Sequence, residues 1–231
     1  MTKIKICGIT NYQDASDAVM LGADFLGFNF YKESKRKISV KNAAEIIKKL
    51  PPVFVPVGIF VDDIIDNIAL TVKKSGIKHV QLHGKETPEF CTELTAKLAG
   101  QDIKLIKAFR VKGQETLNQI ELFKDVVDFF LLDSFVEGQA GGTGVSMEGN
   151  VSSEEIDAEV KPEVSGWDVA IEAKRYNKPI FLAGGLTPEN VEEAIEKVLP
   201  FAVDVASGVE RLQRRKDYEK VKKFITSSKA F

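Results

Sequence analysis

The chain has 231 residues, 44% hydrophobic and 29% charged, with 32 Lys and Arg against 34 Asp and Glu for a formal net charge of -2. That balance lacks the one-signed field that engages a phosphate backbone, so no nucleic-acid partner is expected. The longest apolar runs, such as Val126 to Leu132, fall far short of the roughly 20 residues a membrane helix needs, and Asp128 interrupts that one, so no bilayer span is expected either.

Met1-Thr2-Lys3 runs straight into an alternating segment without the apolar core and cleavage site of a secretory signal, which reads as a cytoplasmic protein. Two cysteines, Cys7 and Cys91, cannot supply a disulfide framework and are expected as thiols.

In chain order, β-rich runs occupy Ile4 to Cys7, Phe25 to Phe30, Phe54 to Val61, Val80 to His83, Leu105 to Arg110, Phe129 to Asp133, Ile180 to Ala183 and Ala202 to Val205. Between them, Ala43 to Leu50, Ile64 to Lys74, Pro88 to Leu98 and Pro188 to Val198 carry helical spacing with polar outer faces. Repeated βα units without a Pro/Gly/Ser-rich linker predict one domain, residues 1–231, folded as a single (β/α)8 barrel of the α/β class. An open doubly wound sheet is the alternative; against it, Gly8-Ile9-Thr10 lacks the G-x-G-x-x-G dinucleotide fingerprint.

The interval from Phe129 to Ile180 is about twice that of an ordinary βα unit. The excess lies in Val145 to Gly166, which holds Glu148, Glu154, Glu155, Asp157, Glu159 and Glu163 against Lys161 alone. It reads as a solvated acidic insertion (145–166) in the sixth βα loop, with a short helix starting at Ser152 and closed by Glu155.

Barrel enzymes bind ligands where strands end, so strand C-termini hold the candidate groups. Alternation puts Cys7 on one face with Lys3 and Lys5, and His79, Gln81 and His83 on one face of the fourth strand. Those faces would line the barrel, although a half-exposed antiparallel strand gives the same pattern. Asp133 ends four large apolar residues and is followed by a glycine-rich run containing Gly141, Gly142, Thr143 and Gly144, whose amides can form an anion-holding concavity. Gly184 and Gly185 leave the seventh strand toward a helix capped by Thr187 with Pro188 in its first turn, and Ser207 and Gly208 follow the eighth. Loops in those two places are where barrels hold a substrate phosphate, so a phosphorylated small molecule is the expected partner. Arg36 follows the second strand and has the fork to grip a planar carboxylate; His83 and Arg110 also sit at strand ends. Cys91, spaced with Leu94 and Leu98, reads as core, and Trp167 as packing at the start of the sixth helix.

Taken together, Lys5-Ile6-Cys7-Gly8-Ile9-Thr10, Val80-Gln81-Leu82-His83-Gly84, "LLDS" with "GGTG", "LAGGLTPENV" and "DVASGVE" resemble phosphoribosylanthranilate isomerase from the first strand to the eighth. The resemblance implies a barrel that carries out an Amadori rearrangement in tryptophan biosynthesis without metal or organic cofactor; scattered exposed hydrophobes fit a monomer or a homodimer alike. The resemblance further implies Cys7 as general base, Asp133 as general acid and Arg36 as ligand of the anthranilate carboxylate. Such chemistry calls for a Cys7 thiolate favoured by a nearby cation, for which Lys5 is the candidate. It also calls for an Asp133 that holds its proton.

Two departures stand out: the acidic excursion before Trp167, and Ala206 where the family commonly has Ser. Rival readings are a related phosphate-binding barrel enzyme, such as an indole-glycerol-phosphate synthase or a ribulose-phosphate epimerase, and a non-catalytic phosphometabolite binder.

Overall fold

The computed structural model describes residues 1–134 and 165–230. Eight parallel strands close into a barrel in chain order: β1 (Lys3–Cys7), β2 (Phe25–Asn29), β3 (Val55–Phe60), β4 (His79–Leu82), β5 (Lys104–Val111), β6 (Phe129–Ser134), β7 (Ile180–Ala183) and β8 (Ala202–Val205). Closure is made by β1 on β8, with Lys5 opposite Asp204. Each strand is followed by a helix: α1 (Tyr12–Leu21), α2 (Val40–Lys49), α3 (Ile65–Ser75), α4 (Pro88–Lys97), α5 (Glu115–Phe123), α6 (Gly166–Ala173), α7 (Val191–Val198) and α8 (Tyr218–Ser228). The closed barrel disposes of the open-sheet alternative.

The strand alternation divides the core in two. Ile4, Ile6, Leu26, Phe28, Val80 and Leu82 face the helical layer, while Phe25, Val57, Ile106, Leu131, Phe181 and Ala202 fill the barrel. Of the polar residues on the face opposite Ile4 and Ile6, Lys5 is completely buried in the barrel as the alternation implied, whereas Lys3 is exposed and pairs with Asp24 at 2.7 Å. Helix starts follow local chemistry. Asn11, Ser39, Thr87 and Asp217 accept a hydrogen bond from an amide of the first turn of α1, α2, α4 and α8, and Ser165 with Asp168 forms a capping box at α6.

Three sequence expectations need correction. First, α7 begins at Val191, not at Pro188: Asn190 accepts from the Thr187 amide at 2.8 Å and donates to the Gly185 carbonyl at 3.1 Å, so residues 187–190 form a turn ahead of the helix. Second, Gly166, assigned to the end of the insertion, is the first residue of α6. Third, a small antiparallel hairpin, β9 (Glu210–Leu212) and β10 (Arg215–Lys216), follows β8 and was not anticipated. The acidic residues 145–164, with the Ser152 helix, lie outside the described residues. Trp167 stands second in α6 and packs on the core, with the Lys197 ammonium 5.5 Å from its ring centre.

Candidate active site

Cys7 is the last residue of β1 and pairs across to Gly27 of β2. A side chain at Gly27 would come within 2.9 Å of the Cys7 Sγ, so glycine there makes room for the thiol. Beneath it the Lys5 ammonium bonds the Asp204 carboxylate at 2.9 Å. Desolvation alone would lower the Lys5 pKa, but Asp204 and the Cys7 sulfur outweigh it and the pKa is raised. Lys5 is thus next to the thiol, as expected, yet the net effect on Cys7 is the reverse of the expectation. Burial is the largest influence and pushes the Cys7 thiol up; Asp204 adds to it, and Lys5 and Lys216 oppose it without prevailing.

Asp133 belongs to β6, opposite Arg110 of β5 and Ala183 of β7. It shares the inward parity of Leu131, and about a quarter of its side chain is exposed (27%). His83 stands immediately after β4, where its amide donates to the Phe60 carbonyl. Its Nε2 lies 3.6 Å from Asp133 Oδ2. Its Nδ1 is 2.9 Å from the Gln81 amide nitrogen, and in that orientation of the amide Nδ1 accepts, which leaves the ring proton on Nε2 toward Asp133. Cys7, His83 and Asp133 therefore meet at the same end of the barrel, the end where the strands finish. Arg110 is exposed at that rim.

Arg36, half-buried between β2 and α2, is held by Glu210 through a bidentate pair, Nε to Oε1 at 2.8 Å and Nη2 to Oε2 at 2.7 Å. It does grip a planar carboxylate, but one supplied by the chain. The loops after β7 and β8 adjoin. Gly184 and Gly185 take φ of 93° and 65°, backbone suited to glycine. A Cβ at Gly208 would run into the Leu186 carbonyl. Ser207–Val209 form a single 3₁₀ turn, whose first amides are those that helical geometry leaves without a backbone partner. Gly142 and Thr143 lie outside the described residues.

Glu210, Lys216, Asp204 and Gln81 were given no site role from sequence. Gln81 lies inside Val80-Gln81-Leu82-His83-Gly84 and Asp204 and Glu210 inside "DVASGVE", whereas Lys216 lies in no quoted motif. Cys91 is fully buried with its thiol pushed up to about 11 by burial, which fits core packing and not chemistry. A groove of about 500 Å³ lined by Asp63, Ile64, Phe90 and Lys97 lies on the helical flank between α3 and α4, not among these strand ends. Among the described residues no group of His, Cys, Asp or Glu could hold a metal ion, and no helix is long and apolar enough to cross a membrane.

A thiol, a carboxyl group and an imidazole gathered at the C-terminal mouth of a (β/α)8 barrel, beside two adjoining glycine loops, define a barrel enzyme equipped for acid–base work. Comparison with known proteins narrows the class. The family model for N-(5'-phosphoribosyl)anthranilate isomerase matches residues 4–227. The isomerase of Geotalea daltonii is 44% identical over 229 residues, covering 99% of this chain and 97% of that one. A solved phosphoribosyl anthranilate isomerase in complex with reduced 1-(o-carboxyphenylamino)-1-deoxyribulose 5-phosphate superposes with a TM-score of 0.81 at 34% identity, covering 100% of both chains. A monomer generated from the dimeric Thermotoga maritima enzyme gives 0.80 at 32% identity, again over 100% of both chains. The chain belongs to the phosphoribosylanthranilate isomerase family, the intramolecular oxidoreductases that act in tryptophan biosynthesis. The synthase, epimerase and binder readings fall away.

Proposed function

We propose that this chain converts N-(5-phosphoribosyl)anthranilate to 1-(2-carboxyphenylamino)-1-deoxyribulose 5-phosphate with Asp133 as general acid and Cys7 as general base. Asp133 protonates the ribose ring oxygen, the ring opens to a Schiff base, and Cys7 removes the C2 proton that the Schiff base has made acidic. The resulting enolamine gives the aminoketose. The observation that carries this reading is that Cys7 and Asp133 occupy inward-facing positions at the C-terminal ends of two strands of one closed barrel. His83, with Nε2 toward Asp133, orients the acid and contacts substrate.

Arg36 takes the anthranilate carboxylate, and the Glu210 grip that fixes its guanidinium supports that assignment. The substrate phosphate sits on Gly184, Gly185, Ser207 and Gly208, and Gly142 and Thr143 serve in substrate binding. Backbone amides, not a hydroxyl at Ala206, make the anion site, so the missing Ser weakens binding only modestly. Residues 1–231 act as one domain in the cytoplasm. Both cysteines are unpaired thiols, and a thiol base needs the reducing conditions found there. The chain works as a monomer or a homodimer.

The test is conversion of phosphoribosylanthranilate, followed by loss of substrate fluorescence. Cys7→Ser and Asp133→Asn should each lower kcat by roughly 10²- to 10⁴-fold, the usual contribution of a positioned acid or base. Affinity for a reduced product analogue should stay near that of the parent enzyme. Near-normal turnover in either variant removes that residue from its role.

A further inference from the structure

Lys216 belongs to the two-residue strand β10 outside the barrel, yet only 3% of its side chain is exposed. Its backbone amide donates to Asp14 of α1 at 2.9 Å, and its Nζ donates to the Ala206 carbonyl at 2.8 Å and faces Glu210 Oε1 at 3.4 Å. Glu210 also takes the two-pronged pair with Arg36, so one carboxylate serves two cations. The Arg36 stem runs against Gly8, the neighbour of Cys7, so closely that a Cβ on Gly8 would collide with Arg36 Cδ.

The ionised groups that act on Cys7 are Lys5 from β1, Asp204 from β8, Lys216 from β10 and, from the loop before α2, Arg36. Glu210 joins them through its two partners. On the α1 side, Asp14 is taken up by the Lys216 amide and by the Asn11 side chain. Lys5 pairs with Asp204 and Arg36 with Glu210. Lys216 shares Glu210 with Arg36, so three cations face two carboxylates, and a buried surplus of positive charge is costly. Ile6 pairs with Val205 across the β1–β8 seam, so Cys7 and Ala206 come next on the two strands, and the Ala206 carbonyl holds the Lys216 ammonium there; a thiolate at Cys7 is the anion that would complete the set.

We propose that Lys216 is a positioning residue for the isomerisation: its buried ammonium supplies the counter-charge of the Cys7 thiolate, while its neighbour Glu210 holds Arg36 at the barrel mouth. This rests on Cys7 being the base. The burial cost that raises the Cys7 pKa in the resting enzyme is offset in part by Lys216, whose own pKa burial lowers and Glu210 and Cys7 raise in opposition.

The experiment is alkylation of the full-length enzyme by iodoacetamide across pH 6 to 10, read by mass spectrometry on the Cys7 peptide so that Cys91 does not enter. Lys216→Met should move the Cys7 midpoint up by about one pH unit, in line with loss of a close opposite charge. It should lower kcat at neutral pH about tenfold with a much smaller change in KM, and Lys216→Arg should restore both. An unmoved midpoint in folded Lys216→Met overturns the proposal. Should the Met variant not fold, Glu210→Gln keeps both cations and should move the midpoint down while raising KM; a midpoint that stays put there overturns it equally. If the midpoint moves but Cys7→Ser keeps its turnover, the base assignment has failed, and the part given to Lys216 in the reaction falls with it.

Discussion

At Cys7, burial and the Asp204 carboxylate raise the thiol pKa while the ammoniums of Lys5 and Lys216 lower it, and burial wins. A raised pKa keeps the proton on sulfur at neutral pH, so activity that needs the thiolate grows as pH climbs toward the folded value. The rising limb of kcat/KM should therefore lie above the ordinary thiol value of about 8.5, with Cys7→Ser as the control that lacks it. A limb centred near pH 7 would contradict this. The strand-end positions of Cys7 and Asp133 could be read from sequence because each sits in a short local motif at the end of an apolar or alternating run. Glu210 as the partner of Arg36 could not, since 174 residues separate them and only closure of the barrel makes them neighbours.

Elements were legible in proportion to how local their signals are. All eight barrel strands are where alternating or apolar runs placed them, to within a residue or two at the ends. The α7 boundary failed because Thr187-Pro188 is a good start signal by itself, and the competing bonds of Asn190 to residues 185 and 187 have no sequence signature. The β9–β10 hairpin escaped because it is too short for periodicity and turns at Arg214, with φ of 72°, in place of the Asn-Gly that marks such turns. The contact between the β7 and β8 loops is testable at this scale. Gly208→Ala should push against the Leu186 carbonyl, costing roughly 1–3 kcal/mol as overpacking does. It should also raise KM for the phosphorylated substrate through displaced amides. Urea unfolding and steady-state kinetics check the two effects, and unchanged KM with unchanged stability would mean that the loops do not depend on that approach.

Across the whole molecule the barrel has two unlike ends. Its N-terminal end is closed by aromatic packing: His79 stacks on Phe129 at 5.4 Å between ring centres, and Phe25, Phe181 and Phe201 pack edge-on or tilted around them. Burial lowers the His79 pKa, holding the imidazole neutral in the fold. The unfolded chain binds that proton near pH 6.5. Its contribution to stability is therefore complete above about pH 6.5 and is lost as pH falls from there toward the lowered folded value. Urea unfolding at pH 7.5 and at pH 5 should show a smaller acid loss for His79→Phe than for the parent; equal losses would exclude His79 as a source of the acid limb.

Alternation, glycine placement and motif order are properties of neighbouring residues, and they sufficed to specify eight βα units, the inward faces of β1 and β4, and the strand ends that carry Cys7 and Asp133. The charges that surround the thiol were decided only when β1 met β8 and the β9–β10 hairpin folded across the first βα loop. Electrostatic influence depends on distance and burial, and both are set by contacts between segments far apart in the chain. That is why Lys5 could be named beforehand as a neighbour of Cys7, whereas the upward direction of the thiol pKa, the Glu210 grip on Arg36 and the buried ammonium of Lys216 could not.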